Sequence, residues 1–596
     1  MAVSSLVRVA LLLAGVVLAQ NGTRFSNSSL AASTSAIPAS TTIGGTPVAN
    51  PSAFATNFHL NVEQLWDLFV GPISTASVNT TVAPTPVPSS ELIPPPPLYY
   101  SPFPSGQQQP MYPKNASWSF PSNFWWGVAS AAYQVEGAAK DEGRGPSIWD
   151  VLTHRVTNFI AHNDTGDIAD NHGDNASVPF LSNIARIAAL GVPYYSFSIS
   201  WSRVFPFGSG PVNEEALAHY DDMINTCLQY NVTPMVTLYH WDLPLVLQNT
   251  YGGWLSQSIV NDFVEYARVV FGRYGDRVQH WFTINEPIVF CGFYPLPSQY
   301  FTQTSIPAKQ QPFFCGQNVL LAHAEAYRLG KSMMPNSMIS FKTNGGHKIP
   351  LTNSSADAQA VQRAWDFNEG WFATPTFLTG DYAPSLKAYL STFLTPFTAE
   401  QKRLINGTAD VFAHDAYTSQ FYYAPDGGID ACLANSSNPL YPACVNTTYT
   451  YSTADGGWNI GPAADPGSPW LHKATDWVPA FLRYIQDTWK PAGGIAVTEF
   501  GFAEPFEYSK TLLADIRWDP IRSQYYHDYM QGILIALSEG VNVVGCLAWS
   551  IVDNLEWSSG YTVKFGMQYV NFTTQERTYK ASFFYYVDAF NQYLQK

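Results

Sequence analysis

From residue 118 onward, short apolar runs of strand type alternate with longer amphipathic stretches of helix type, and this alternation constrains the fold more than any other feature. Strands are predicted at 124–130, 193–201, 233–240, 279–285, 337–344, 410–417, 494–499 and 543–549. Amphipathic runs lie between them, for instance at 213–230, 257–274, 316–334 and 521–540. Eight strands alternating with helices predict an α/β fold: one (β/α)8 barrel with long loop insertions, spanning 116–596. The least regular stretch, 418–470, is rich in Gly, Pro and Asn and reads as an insertion.

Two of the predicted strands end on a carboxylate. Residues 283–287 read TINEP and residues 497–501 read VTEFG, setting Glu286 and Glu499 where a strand gives way to a loop. In a parallel barrel that end gathers catalytic side chains. Two carboxylates so far apart in sequence face each other only if the chain closes into one site. Such a pair suits glycosidic bond cleavage, in which one carboxyl donates a proton and the other attacks or activates water.

The rest of the composition fits. Aromatic residues make up 15% of the 596-residue chain, including 18 Trp and 34 Tyr. Flat rings stack well on the apolar faces of sugars. The formal net charge of −15 leaves no basic face, which argues against nucleic acid and against anionic membranes as partners. No apolar stretch is long enough to span a bilayer.

Residues 1–19 read as a secretory signal: Arg8 precedes an apolar run over 9–18, with small-residue cleavage before Gln20. Sequons at Asn21, Asn27, Asn79, Asn115, Asn163, Asn175, Asn231, Asn353, Asn406, Asn435, Asn446 and Asn571 add an expectation of a secreted, extracellular, N-glycosylated protein. Among six cysteines, Cys432 with Cys444 and Cys291 with Cys315 are the candidate disulfides. Cys227 and Cys546 lie in apolar patterns and read as buried thiols, and no spacing resembles a metal site. Residues 20–115 form a Ser/Thr/Pro-rich arm with one island, 58–71, whose apolar residues recur at helical spacing and could dock on the barrel.

Several motifs in sequence order resemble glycoside hydrolase family 1, the retaining β-glucosidase family: FWWGVASAAYQVEGA at 124–138, SISW at 198–201, HWDLP at 240–244, NEP at 285–287, TE at 498–499 and WSIVDNLEW at 549–557. The resemblance covers about 118–590. It implies a (β/α)8 barrel and hydrolysis with retained anomeric configuration, with Glu286 as general acid/base and Glu499 as nucleophile, and it implies no metal or cofactor. It further implies that Gln134 and His240 contact the O3/O4 side of a terminal sugar and Asn285 its 2-hydroxyl. Tyr417 would hydrogen-bond the nucleophile, Trp549 would underlie the ring, and Glu556, Trp557 and Phe565 would complete the pocket, with Trp241 lining it. The implied substrate is a small carbohydrate or glucoside, cleaved at its non-reducing terminal β-D-glucosyl residue. Competing readings are another exo-β-glycosidase (galactosidase, mannosidase or fucosidase) and a catalytically weak carbohydrate-binding relative. An anionic Glu556 would repel a 6-phosphorylated sugar.

The chain departs from the family pattern at four places. Ser196 stands where the family has an arginine, Asp415 and Phe500 stand where it has asparagines, and NASVPF at 175–180 replaces an aromatic-basic run. Ser196 cannot supply the cation that lies beside the nucleophile in the family. Alternation along the fifth strand turns Asn344 and hence Lys342 inward, and along the sixth it turns Tyr417 and Asp415 inward. Lys342 is therefore the expected substitute, shared between Asp415 and the region of Glu499. A one-residue shift of the fifth strand would instead point it outward.

Overall fold

A computed structural model describes residues 54–73, 86–96, 118–168, 179–453 and 456–595. Eight parallel strands close into a barrel: β1 (Trp125–Ala129), β2 (Tyr194–Ser198), β3 (Thr233–Tyr239), β4 (His280–Asn285), β5 (Met338–Asn344), β6 (Phe412–Asp415), β7 (Ile495–Phe500) and β8 (Val543–Trp549). Each pairs with its sequence neighbours, and β8 closes on β1 from Trp125 opposite Gly545 to Ala129 opposite Trp549. The strands are buried on both faces, as a parallel barrel requires. The protein is thus a (β/α)8 barrel.

The helices between strands obey their sequence pattern. Helix α1 (Glu214–Gln229) starts at Asn213, whose side chain accepts from the Glu215 amide, and buries Ala216, Leu217, Tyr220, Met223, Ile224 and Cys227 at helical spacing. Helix α2 (Gln311–Met333) starts earlier than the predicted 316 because Pro312 sits in its first turn. A disulfide joins Cys315 in that helix to Cys291, at the end of the short helix that follows Glu286. Helix α3 (Pro520–Ser538) backs β7, and Phe500 stacks on its Tyr529 at 4.5 Å.

Strand β6 is shorter than predicted. Asp410 lies outside it because its carboxylate accepts from the Ile339 amide and pairs with Lys331. Tyr417 lies beyond its other end, where the chain leaves the barrel after Ala416 donates to the Glu499 carbonyl. The 418–470 insertion is ordered into short strands. Gln420–Tyr423 pairs with Lys348–Pro350 and with Asn446–Thr448, and Thr450–Thr453 forms a ladder with Gly456–Asn459. Cys432 and Cys444, bridged, staple the excursion. Cys227 and Cys546 are buried and unbridged.

Within the arm, Val62–Phe69 is a helix capped by Asn61, with Leu65 and Trp66 fully buried. The Trp66 indole donates to the Arg144 carbonyl at 2.8 Å, and Lys140 pairs with Glu63. Further on, Glu91 pairs with Arg186 at 2.7 Å. The signal-like residues 1–19 and most of the arm lie outside the described residues, as do 175–178. No helix among the described residues is long and apolar enough to cross a membrane.

Candidate active site

The residues singled out from sequence converge at the C-terminal end of the barrel. Glu286 follows β4 and opens the helix Pro287–Cys291, with a backbone φ of +44°. Its amide donates to the Lys342 carbonyl at 2.9 Å. A glutamate in the left-handed region is strained, and strain of this kind concentrates at functional sites. Glu499 lies near the end of β7. The pairing of β4 with β5 shifts register between Phe282 and Asn285, and that of β7 with β6 between Val497 and Glu499. Bulges there re-aim the end-of-strand side chains.

Glu286, Asp415 and Glu499 each present a carboxylate oxygen within 4.8 Å of the others, and all three are buried. Glu499 is the best solvated of the three by protein donors. The Lys342 ammonium lies 3.3 Å from its Oε1, and the Tyr417 hydroxyl donates to its Oε2 at 2.9 Å. With its amide nitrogen facing the carboxylates, Asn285 donates to Glu499 Oε1 and Asp415 Oδ2, 3.2 Å each, and accepts from His240 Nε2 at 3.3 Å. Asp415 also accepts from Thr498 Oγ1 at 2.7 Å.

These contacts set the charges. Burial raises all three carboxyls. At Glu499 the rise is opposed by Lys342 and by the Tyr417 hydrogen bond. At Glu286 burial is reinforced by negative charge on the Asp415 and Glu499 carboxyls, so its pKa lies well above the usual carboxylate range. At Asp415 burial and Glu499 act together and Lys342 opposes them. Glu499 is therefore the group that ionises most readily, while Glu286 and Asp415 both hold protons more tightly. Burial and Lys342 hold His240 well below its ordinary value, hence neutral.

Lys342 points inward and is 2% exposed. Its hydrogen bond goes to Glu499 alone; its action on Asp415 is through space, not through the shared contact expected. Ser196, inward on β2, is 1% exposed and its hydroxyl has no partner. The cation beside Glu499 thus comes from β5.

A cavity of about 290 Å³ opens above the carboxylates. His240, Trp241, Tyr417, Trp549, Glu556, Trp557 and Phe565 all line it. Trp241 and Trp557 pack at 4.4 Å, and Trp549 lies parallel to His240 at 5.9 Å. Gln134 is fully buried behind them, bonded to Asn554 and the Leu555 carbonyl. Gln134 Oε1, His240 Nδ1 and Glu556 Oε2 are buried without partners. These atoms have almost no accessible surface, so a ligand's hydroxyls would reach them only as the side chains shift to meet it. Burial and Glu499 push Glu556 up to about 8, so it is protonated at neutral pH and both donates and accepts. Charge repulsion by Glu556 is therefore not what would exclude a phosphorylated sugar. Instead, Lys348 is the one lysine or arginine among the described lining residues, so a phosphate finds no cationic grip at the sugar end.

The cavity also brings in residues the motifs did not indicate: Trp149 and Phe293 on one wall, and Lys348, Asn368, Gln420, Tyr449 and Trp470 on the other. The second group comes mainly from the insertion and from helix junctions, where no periodic signal exists.

A (β/α)8 barrel with two carboxylates in an aromatic, hydroxyl-matching pocket at its strand C-terminal ends defines a glycoside hydrolase. The family model described as Glycosyl hydrolase family 1 matches residues 116–593. Beta-glucosidase 12 of rice (Oryza sativa) is 34% identical over 484 residues, covering 77% of this chain and 90% of that protein. Beta-glucosidase 1B of the fungus Phanerodontia chrysosporium is 36% identical, covering 78% and 84%. The crystal structure of a β-glucosidase from Humicola insolens in complex with glucose superposes with a TM-score of 0.72 at 30% identity, covering 80% of this chain and all of that one. The chain belongs to glycosyl hydrolase family 1 and is a β-glycosidase acting on O-glycosyl bonds.

Proposed function

We propose that the protein is a secreted retaining exo-β-glycosidase, a β-glucosidase that removes non-reducing terminal glucosyl residues by double displacement. The observation that carries this is the unlike environment of two adjacent carboxyls. Retaining enzymes need their carboxyl groups about 5–5.5 Å apart, and one oxygen of each within 4.8 Å of the other suits this spacing.

In the first step ionised Glu499 attacks the anomeric carbon while Glu286 gives its proton to the departing glycosidic oxygen. The glycosyl ester formed removes the charge on Glu499. The pKa of Glu286 then falls, and it accepts a proton from the water that breaks the ester. Lys342, Tyr417 and Asn285 keep Glu499 ionised and aimed before attack. Gln134, His240, Asn285, Glu556 and Trp557 bind the sugar hydroxyls, Trp549 and Phe565 its apolar faces, and Trp241 holds Asn285 through a 3.1 Å bond to its carbonyl.

The glucosidase names of the relatives support glucose as the sugar removed. Secretion is supported by the signal-like residues 1–19, by the two disulfides, and by exposure of the sequon residues Asn163, Asn231, Asn353, Asn406 and Asn435. A p-nitrophenyl glycoside panel tests the glycone. The β-glucoside is expected to give the highest kcat/KM; a higher value on the β-galactoside, mannoside or fucoside would overturn it. Product released with initially β configuration, read by NMR, tests retention.

A further inference from the structure

We infer that the arm is a strap that positions the sugar pocket, with Trp66 and Glu91 as positioning residues that act through two buried arginines, Arg144 and Arg186. Their role rests on the β-glucosidase reading of that pocket. The described arm residues, 54–73 and 86–96, lie outside the stretch 116–593 matched by the family model, so the family pattern does not account for them.

The first anchor is the helix Val62–Phe69. Leu60, Val62, Leu65, Trp66 and Val70 are all buried, so this segment packs as part of the core rather than as a tether. The Trp66 indole donates to the Arg144 carbonyl at 2.8 Å. The Arg144 guanidinium lies over two rings, 5.7 Å from that of Trp66 and 5.8 Å from that of Tyr133. It also forms a two-point pair with Asp150, at 3.2 and 2.9 Å. Asp150 in turn accepts from the Ser147 amide and hydroxyl, capping the helix Ile148–Arg155. At the far end of that helix Arg155 donates to the Phe69 carbonyl at 3.3 Å, so the arm grips both of its ends. The helix carries Trp149, which lines the cavity and packs on Trp557 at 4.4 Å. Tyr133 stacks on the same indole at 6.3 Å.

The second anchor is Glu91. The Arg186 guanidinium is buried and lies 4.0 Å over the Tyr579 ring. Its Nη1 donates to Glu91 at 2.7 Å, and Glu91 is its one acidic partner among the described residues. A buried cation whose carboxylate is removed is left uncompensated, so its surroundings must shift to solvate it. Those surroundings lead to the pocket. Arg186 Nε donates to Gln568 Oε1 at 2.7 Å, while Gln568 donates to the Ile551 carbonyl at 3.1 Å and accepts from the Asp553 amide at 3.0 Å. Residues 551–553 join Trp549 to Glu556 and Trp557, all three of which line the cavity. Both anchors thus reach Trp557, by its packing partners on one side and by its own loop on the other. Neither bonds to the catalytic pair, whose partners are Lys342, Tyr417 and Asn285. The strap therefore acts on sugar binding rather than on the chemical step.

The test uses full-length Trp66→Leu and Glu91→Gln, assayed well below the Tm found in thermal melts, on whichever p-nitrophenyl β-glycoside the wild-type protein cleaves best. If Trp66→Leu does not fold, Trp66→Phe, which keeps an aromatic ring and loses the indole donor, replaces it. KM is expected to rise about fivefold or more in each variant, with kcat within about twofold of wild type and both limbs of the kcat pH profile in place. Glu91→Asp, which keeps the charge, is expected to stay within about twofold of the wild-type KM. A KM within about twofold of wild type in both folded variants would reduce the arm to a brace for stability and overturn the inference. So would a fall in kcat with KM unchanged. Wild-type protein inactive on every glycoside of the panel would overturn the β-glucosidase reading instead, and the inference with it.

Discussion

Two lysines, Lys342 and Lys348, lie six residues apart on one stretch of chain, both 2% exposed and both facing a buried carboxylate. Their settings differ in what surrounds the carboxylate. Glu499 receives Lys342 at 3.3 Å together with the Tyr417 hydroxyl and the Asn285 amide, so its charge is spread over three donors and its face toward the cavity stays reactive. Glu369 receives Lys348 at a tighter 2.8 Å and no other side-chain donor, and Oε2 is left open. Burial raises Glu369 and lowers Lys348, each toward its neutral form. In the proposed mechanism the first pair maintains an anion for chemistry. The second is a structural pair. A buried ion pair is therefore not informative by itself; the number of additional donors tells which role it serves.

Removing the carboxylates should have the largest effects. Glu499→Ala is expected to lower kcat by at least about a thousandfold on every glycoside, with partial rescue by azide yielding the inverted glycosyl azide. Unrescued loss with retained folding would argue against Glu499 as nucleophile. Glu286→Ala should cost about 10²–10⁴-fold on disaccharides but much less on substrates with good leaving groups, in a plot of rate against leaving-group pKa. Equal losses on both would remove Glu286 from the acid role.

The second pair predicts stability rather than rate. Lys348→Met leaves Glu369 buried without its cation and should cost about 3–5 kcal/mol, read as a fall in Tm, with most of it recovered in Lys348→Met/Glu369→Leu. A smaller effect is expected in the pH profile of Asp415→Asn. Asp415, where it carries charge, raises Glu286, although burial and Glu499 hold Asp415 itself well above its ordinary value. Removing that charge lowers the pKa of the acid, so the alkaline limb of kcat/KM should move to lower pH. An alkaline limb that stays put or moves up would contradict this reading.

How far these regions could be read from sequence follows from their physics. The barrel strands are continuous apolar runs, and β8 was predicted at its observed bounds, Val543–Trp549. The β6 bounds were not readable, because Asp410 spends its side chain on the Ile339 amide and Lys331 while the chain turns out after Asp415. Tyr417 reaches Glu499 from a loop, so strand alternation gave its direction for the wrong reason. Glu286 and Glu499 stood out because each falls where a predicted strand gives way to a loop, inside a short motif. Lys342 followed from alternation along a strand with one clear inward residue. Asn368 and Gln420 carried no signal: one lies at a helix junction and one in a four-residue strand, and only the folded chain brings them to the cavity.

The central claim is that Lys342 supplies, from β5, the positive charge that keeps Glu499 ionised, in place of what Ser196 cannot provide. The pH dependence of kcat/KM for Lys342→Met against wild type tests it most directly. Lys342 lowers Glu499 against the rise from burial, so its loss must raise the pKa of the nucleophile. The account predicts that the acid limb moves upward by about one pH unit or more, since one unit corresponds to about 1.4 kcal/mol of charge interaction, with a matching fall in kcat. An acid limb at the wild-type position with kcat intact would contradict it.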